Sequence, residues 1–194
     1  EGIVKPNDVK SFGKNIREES GRMIQLIDDI IQLSRLDENA PLDDELPVDL
    51  FDTAHDVIDR LRDHAKKRGI SLYLDGESSV ITGSPALCDE IIYNLCENAI
   101  KYNKENGSVT ITVHDLREGT ELIVEDTGIG IPYEYRNRVF ERFFRVDKSH
   151  SQVVDGTGLG LSIVKHAVAR MGGTIEVDSV EGAGTKMIIR FPRK

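Results

Sequence analysis

Tryptophan is missing from the 194 residues, cysteine appears twice, and positive charge is in deficit, 25 lysines and arginines standing against 34 aspartates and glutamates. Each shortage excludes something. A net charge of -9 denies nucleic acid or an anionic bilayer the basic field that either would need. No apolar run approaches the ~20 residues that cross a membrane, and no signal peptide opens the chain. Cys88 and Cys96 fall in one predicted helix about 12 Å apart along its axis, too far for a disulfide. Reduced, helix-packed thiols suit a cytosolic compartment, and no Cys/His spacing points to zinc.

What is present is a 39% hydrophobic chain, long enough for one well-buried core. It opens "EGIVKPNDVKSF", where a proline just ahead of a periodic run reads as a helix entry rather than as a protein's natural beginning. Val9, Phe12, Ile16, Met23, Leu26, Ile30 and Leu33 then recur at alternating spacings of three and four, with only Glu19 interrupting. That is a bundle or coiled-coil seam. Ile24, Ile27 and Ile31 add a second stripe, to be buried either by bundle partners or by the helix's own domain. "DENAPLDDELPVDL" breaks the pattern with prolines and acids. The predicted division is a helix over 1–38, a linker over 39–46 and a compact domain over 47–194.

Within that domain Asp49 caps a helix running to about Arg68, which Gly69 ends, and "ISLYLD" follows as a strand. Ser84 and Pro85 start a second helix to about Tyr102. "SVTITVHDL" and "TELIVED" alternate as strands around "REGT", a hairpin. A short helix is expected near Tyr133 to Phe143, then a polar loop from Val146 to Asp155, then a helix ending at Gly172 and Gly173. "TIEVDSV" and "TKMIIRF" close the chain around "EGAG". The order predicts an α/β two-layer sandwich, with helices on one face of a mixed, largely antiparallel sheet, preceded by the long amphipathic helix.

Three patterns carry chemistry. In "DGTGLGLSIVKHAV" Gly156, Gly158 and Gly160 open a helix, but they follow a flexible loop rather than a strand, as a dinucleotide fingerprint requires, and they lack the Gly-Lys-Ser/Thr of a P-loop. Backbone amides at that helix start can face phosphates beneath a folding loop. In "EDTGIGIP" Asp126 leaves a strand with a carboxylate able to accept from an adenine amine, and Gly128 and Gly130 permit close approach of a flat ring. Alone this is an Asp-Thr-Gly turn. In "YNLCENAIKY" Asn94, Asn98 and Lys101 share one helix face, opposite Ile92, Leu95 and Ala99. Mid-helix asparagines are intrinsically disfavoured; amide oxygens beside a lysine suit polyphosphate and magnesium, where the plain alternative is a solvated face.

"NLCENAIKY", "DTGIGI", "FERFFRVD", "GTGLGL" and "EGAGT", in this order, resemble the N box, first glycine box, F box, second glycine box and last glycine motif of the sensor histidine kinases. The match spans about Leu46 to Lys194. Val9 to Glu38, ending "LIDDIIQLSRLDE", resembles the second helix of that family's dimerisation and phosphoacceptor hairpin. The resemblance implies the ATPase sandwich shared with gyrase and heat-shock chaperones. It implies ATP and Mg²⁺, with Asn98 holding the metal and Asn94 assisting. Lys101 would contact phosphates, and Tyr102 would wall the site. Asp126 would read the adenine amine, helped by Gly128, Gly130 and Thr185, while Gly156, Gly158, Leu159 and Gly160 would form the phosphate turn. Arg145 would reach the transferring γ-phosphate, with Phe140, Phe143 and Phe144 anchoring a lid unless they simply pack.

The resemblance further implies a response regulator receiver domain as partner, a homodimer through the hairpin bundle, no nucleic acid, and membrane attachment only through upstream segments. Asn94 stands where gyrase-like relatives carry a water-activating Glu, which fits a kinase whose nucleophile is an imidazole. The family's H-E-[LI]-[KR]-T-P acceptor motif is not found around His55, His64, His114, His150 or His166. The expectation is a piece of a longer protein, the cytoplasmic portion of a membrane-anchored bacterial sensor, with its acceptor helix upstream of Glu1 and no autophosphorylation of its own. A serine kinase acting on an anti-sigma partner shares the sandwich, but "FERFFRVD" and the bundle helix favour the histidine kinase. Against a nucleotide-gated interaction module stand the intact Asn98, Asp126 and glycines.

Overall fold

The computed structural model describes residues 6–37, 45–146 and 156–193. A 32-residue helix, α1 (Pro6–Asp37), leads into the short strand β1 (Leu46–Asp49) and the helix α2 (Leu50–Lys67). Asp49 caps α2 as expected, its carboxylate accepting from the amides of Phe51 at 2.8 Å and Asp52 at 3.3 Å. Next come β2 (Ser71–Gly76), β3 (Val80–Gly83) and α3 (Pro85–Lys101). The hairpin of β4 (Ser108–Leu116) and β5 (Gly119–Asp126) precedes α4 (Gly160–Arg170) and a second hairpin, β6 (Thr174–Val180) with β7 (Gly184–Pro192).

Five strands form one sheet in the order β2-β4-β5-β7-β6, in which only the β2–β4 pair is parallel. The helices α2, α3 and α4 lie on one face. Their apolar stripes, Val57 and Leu61, Ile92 and Leu95, Ile163 and Val164, meet Val109, Ile111, Leu122 and Ile189 of the sheet in a continuous core. The predicted sandwich is therefore the observed one. Both cysteines are free and buried, and burial pushes the Cys88 thiol up to about 12.

Three details depart from the sequence expectations. Leu46, placed in the linker, is the first residue of β1, which pairs antiparallel with β3 in a two-stranded sheet that propensity alone does not announce. The helix expected over Tyr133 to Phe143 is only a 3-10 turn at Tyr133–Tyr135 followed by further turns, and Phe143 ends the segment in a left-handed conformation (φ 62°) that no helix tolerates. The polar loop expected from Val146 lies, from residue 147 to 155, outside the described residues, as does most of the linker.

The C-terminal half of α1 lies on the domain. Leu33 and Leu36 join the main core at 4% and 7% exposure, and Leu26 packs against it. The N-terminal half keeps its seam in solvent, with Val9, Phe12, Ile16 and Met23 each more than half exposed. Its own domain does not cover the second stripe, since Ile24, Ile27 and Ile31 remain exposed. Among the described residues no helix is long and apolar enough to cross a membrane.

Candidate functional site

The sheet and α3 set one wall each of a cavity of about 1360 Å³ that reaches from the end of β5, past the start of α4, to α1. Asn94, Asn98, Lys101, Tyr102, Asp126, Gly130, Arg145, Gly156, Gly158, Gly160 and Thr185 all line it. Residues from five separate stretches of sequence thus meet in one place. Leu159 and Gly128 do not line it: Leu159 is 0% exposed within the core, and Gly128 is buried beneath the end of α3.

At one end Asp126 is the last residue of β5, paired in register with Thr185 of β7. Its Oδ1 accepts the Gly128 amide at 2.7 Å. Burial pushes the carboxyl up to about 6, against the lowering effect of hydrogen bonds from the Gly128 and Thr185 backbones. Two glycines make this turn feasible. A Cβ at Gly128 would stand 2.3 Å from the Tyr102 carbonyl, and one at Gly130 (φ 69°) 2.0 Å from the Val180 carbonyl. The turn is pinned on both sides: the Ile129 amide donates to the Tyr102 carbonyl at 3.0 Å, and the Ile131 amide to the buried Ser179 hydroxyl at 2.8 Å. That hydroxyl also lies 2.9 Å from the Thr185 hydroxyl.

At the other end the polar face of α3 looks toward the start of α4. Asn94 donates its Nδ2 to the Glu90 carbonyl at 3.1 Å, which turns its Oδ1 toward Gly160; a Cβ at Gly160 would come within 3.2 Å of that oxygen and 3.7 Å of the Asn98 side chain. Lys101 extends past the Tyr102 ring, 5.5 Å from its centroid, to Gly156, whose added Cβ would meet its Nζ at 2.3 Å. Arg145 donates to the Gly156 carbonyl at 3.0 Å, and the Phe143 amide to the Gly158 carbonyl at 3.0 Å. The basic residue closing "FERFFR" and the second glycine turn are therefore bonded to each other. Phe144 stacks at an angle on Tyr135 with centroids 5.8 Å apart, Phe140 is half-buried against the core, and Phe143 is exposed.

Two contributors were not found from sequence. Asn103, just past α3, donates to the Ala99 carbonyl at 3.1 Å and the Ser108 carbonyl at 2.9 Å, and accepts the Thr127 hydroxyl at 3.2 Å, fastening α3 to β4 and to the turn after Asp126. An asparagine directly after a helix end was the available signal. The other is α1. Thr157 donates its hydroxyl to Asp29 at 2.6 Å, Gln32 bonds Glu90, and Asp37 receives Arg142 at 2.8 Å on each carboxylate oxygen. Burial pushes the Glu90 carboxyl up to about 7, and the Gln32 bond opposes the shift.

The cleft suits a flat base with a hydrogen-bond donor at the Asp126 end and an anionic tail at the other, where Lys101, Arg145 and the glycine turn converge. Asn94 turns an amide oxygen toward this end, and Asn98 carries a second one on the same helix face, both of the kind a hard divalent cation takes.

Residues 83–194 match the family model described as histidine kinase-, DNA gyrase B-, and HSP90-like ATPase. Over 96% of the chain the sequence is 36% identical to the sensor-like histidine kinase SenX3 of Mycolicibacterium smegmatis, of which it covers 49%. The chain thus spans about half the length of that relative. Among solved structures it superposes on a mycobacterial sensor histidine kinase, MprB, with a TM-score of 0.68 at 30% identity, covering 77% of this chain and 97% of that one. Full-length ShkA in complex with AMPPNP gives a TM-score of 0.80 at 27% identity, over 94% of this chain and 38% of ShkA.

Proposed function

Because the chain belongs to the histidine kinase-, DNA gyrase B-, and HSP90-like ATPase family and carries the ATPase catalytic domain of a sensor histidine kinase, we propose that it binds Mg-ATP in the cleft between Asp126 and the second glycine turn. From there it passes the γ-phosphoryl group to a histidine on an acceptor helix, for relay to an aspartate of a response regulator receiver domain. The observation that carries the reading is the meeting of Asp126, Asn94, Asn98, Lys101, Arg145 and Gly160 in one cavity. That ShkA was solved with an ATP analogue supports it.

In this reading Asp126 accepts the adenine amine, and Tyr102 closes one side of the base. The backbone at Gly156, Gly158 and Gly160 approaches the phosphates, and the absence of a Cβ at Gly160 lets the Asn94 and Asn98 side chains come close to that turn. Asn98, with Asn94, holds magnesium, which supplies charge neutralisation when bound. Lys101 and Arg145 stabilise the charge spread over the equatorial oxygens of a loose phosphoryl transition state. Asn94, an amide where gyrase-like relatives carry Glu, activates no water, so hydrolysis stays slow while transfer to an imidazole proceeds. Helix α1 serves as the second helix of a dimerisation hairpin. Its exposed row of Val9, Phe12, Ile16 and Met23 supports a bundle partner, and the whole is read as the cytoplasmic portion of a membrane-anchored sensor.

The test is to supply a separate acceptor hairpin with labelled ATP and ask where the phosphate goes. Acid-labile label on the added hairpin is expected, and none on this chain alone. Phosphohistidine on the isolated chain would refute the assignment of the acceptor to another helix.

A further inference from the structure

Among the described residues three groups anchor the second glycine turn, and one of them belongs to α1. Arg145 holds the Gly156 carbonyl, the Phe143 amide holds the Gly158 carbonyl, and Asp29 of α1 holds the side chain between them, accepting the Thr157 hydroxyl at 2.6 Å. Asp29 is 8% exposed, accepts also from Gln25 at 2.8 Å, and lines the same cavity as Asn94, Asn98 and Gly160. The Thr157 oxygen meanwhile receives the Leu159 amide at 3.3 Å. A hydroxyl has one proton to give. While it is given to Asp29 it is withheld from any anion lying in the turn, and that anion shares the cavity with the Asp29 carboxylate.

We propose that Asp29 is a positioning residue that couples nucleotide occupancy to the docking of α1, with negative sign: the Thr157 hydroxyl serves either the Asp29 carboxylate or a nucleotide phosphate oxygen, so a bound triphosphate loosens α1 and a docked α1 weakens the triphosphate. The coupling is reciprocal by linkage. It rests on the nucleotide-site reading above. It also gives a physical role to the spacing of Asp29, Gln32, Leu33, Leu36 and Asp37 on one face of α1, from which they reach the glycine turn, Glu90 on α3, the core, and Arg142.

The experiment uses the whole chain with Mg-ATP as probe. Asp29→Asn keeps an oxygen that can accept from Thr157 but removes the charge. Relieving a like-charge contact of several ångströms at an intermediate dielectric is expected to tighten Mg-ATP about tenfold. A purely structural Asp29 would weaken binding when altered, so the sign separates the two roles. Amide exchange in the C-terminal half of α1 should quicken when the unaltered chain is saturated with Mg-ATP. In Thr157→Val it should be fast already and no longer respond. Unchanged or weakened ATP affinity in Asp29→Asn, or α1 exchange indifferent to ATP in the unaltered chain, overturns the coupling while leaving the nucleotide site intact. Failure of the unaltered chain and both variants to bind Mg-ATP sinks the underlying reading instead.

Discussion

Replacing Asp126 by Asn is nearly isosteric and changes one thing sharply, the acceptor at the mouth of β5. Asp126 takes the Gly128 amide at 2.7 Å and a backbone hydrogen bond from Thr185. The same carboxylate faces the cavity, where the proposed ligand offers an amine. A hydrogen bond to a charged acceptor contributes about 1.5 to 3 kcal/mol, so Asp126→Asn should weaken ATP and ADP by roughly 10- to 150-fold. The fold should suffer less, because the charge that burial penalises is removed while the Asn amide oxygen can still accept the Gly128 amide. The pH dependence carries a second signature. Burial raises this carboxyl from 3.8 to about 6. Between those values the folded chain holds a proton that the unfolded chain has released, so the group's contribution to stability is greatest in acid and is lost as pH rises through about 6. Nucleotide affinity runs the other way, since the amine needs the ionised acceptor, and it should fall as pH drops below about 6. Calorimetric titration of ADP across that range, with thermal unfolding in parallel, tests both slopes, and Asp126→Asn should flatten both. Affinity in Asp126→Asn within threefold of the unaltered chain, on a folded protein, would refute the assignment of the adenine end.

Three further outcomes are expected. Asn98→Ala, which leaves polyphosphate charge uncompensated, should abolish transfer to an added acceptor hairpin; retained label on the hairpin would exclude Asn98 as the metal ligand. Gly130→Ala should destabilise the fold more than Gly172→Ala: both have φ near 70°, but the Cβ at Gly172 meets open space while that at Gly130 meets the Val180 carbonyl at 2.0 Å. Gly172→Ala is expected to cost only the roughly 1 to 2 kcal/mol of a left-handed alanine, and equal losses by chemical denaturation would show that the close approach is relieved cheaply. Leu33→Ala removes a side chain 4% exposed at the docking face of α1, a change typically costing about 2 to 5 kcal/mol in a core. Because α1 lies on the domain surface, the loss should appear as faster proteolysis within α1 while the ATPase sandwich keeps its melting temperature.

The parts of this molecule legible in its sequence are those whose cause is local. The Asp49 cap, the "REGT" hairpin and the exit of Asp126 from β5 each rest on a few adjacent residues with one favoured conformation, and each is where the sequence places it. The asparagines of α3 are legible for the opposite reason. They are poor helix formers on a helix whose other face is wholly apolar, and such a local conflict points to a role outside the helix. What stayed hidden is long-range. The strands β1 and β3 are four residues each, one holds a proline, and neither has a partner nearer than about thirty residues, so no window of sequence carries their signal. The turns after Tyr133 read as helix from their composition, yet the Phe143 amide is drawn to the Gly158 carbonyl, a bond to a turn that the sequence assigns to another motif. The Asp29–Thr157 contact joins residues 128 positions apart. Asp29 sits among the polar positions of an amphipathic helix, where solvent is the default partner, and only the docking of Leu33 and Leu36 carries it to the glycine turn. Periodicity shows that a helix has a face to bury; which loop that face will grip depends on the fold that receives it.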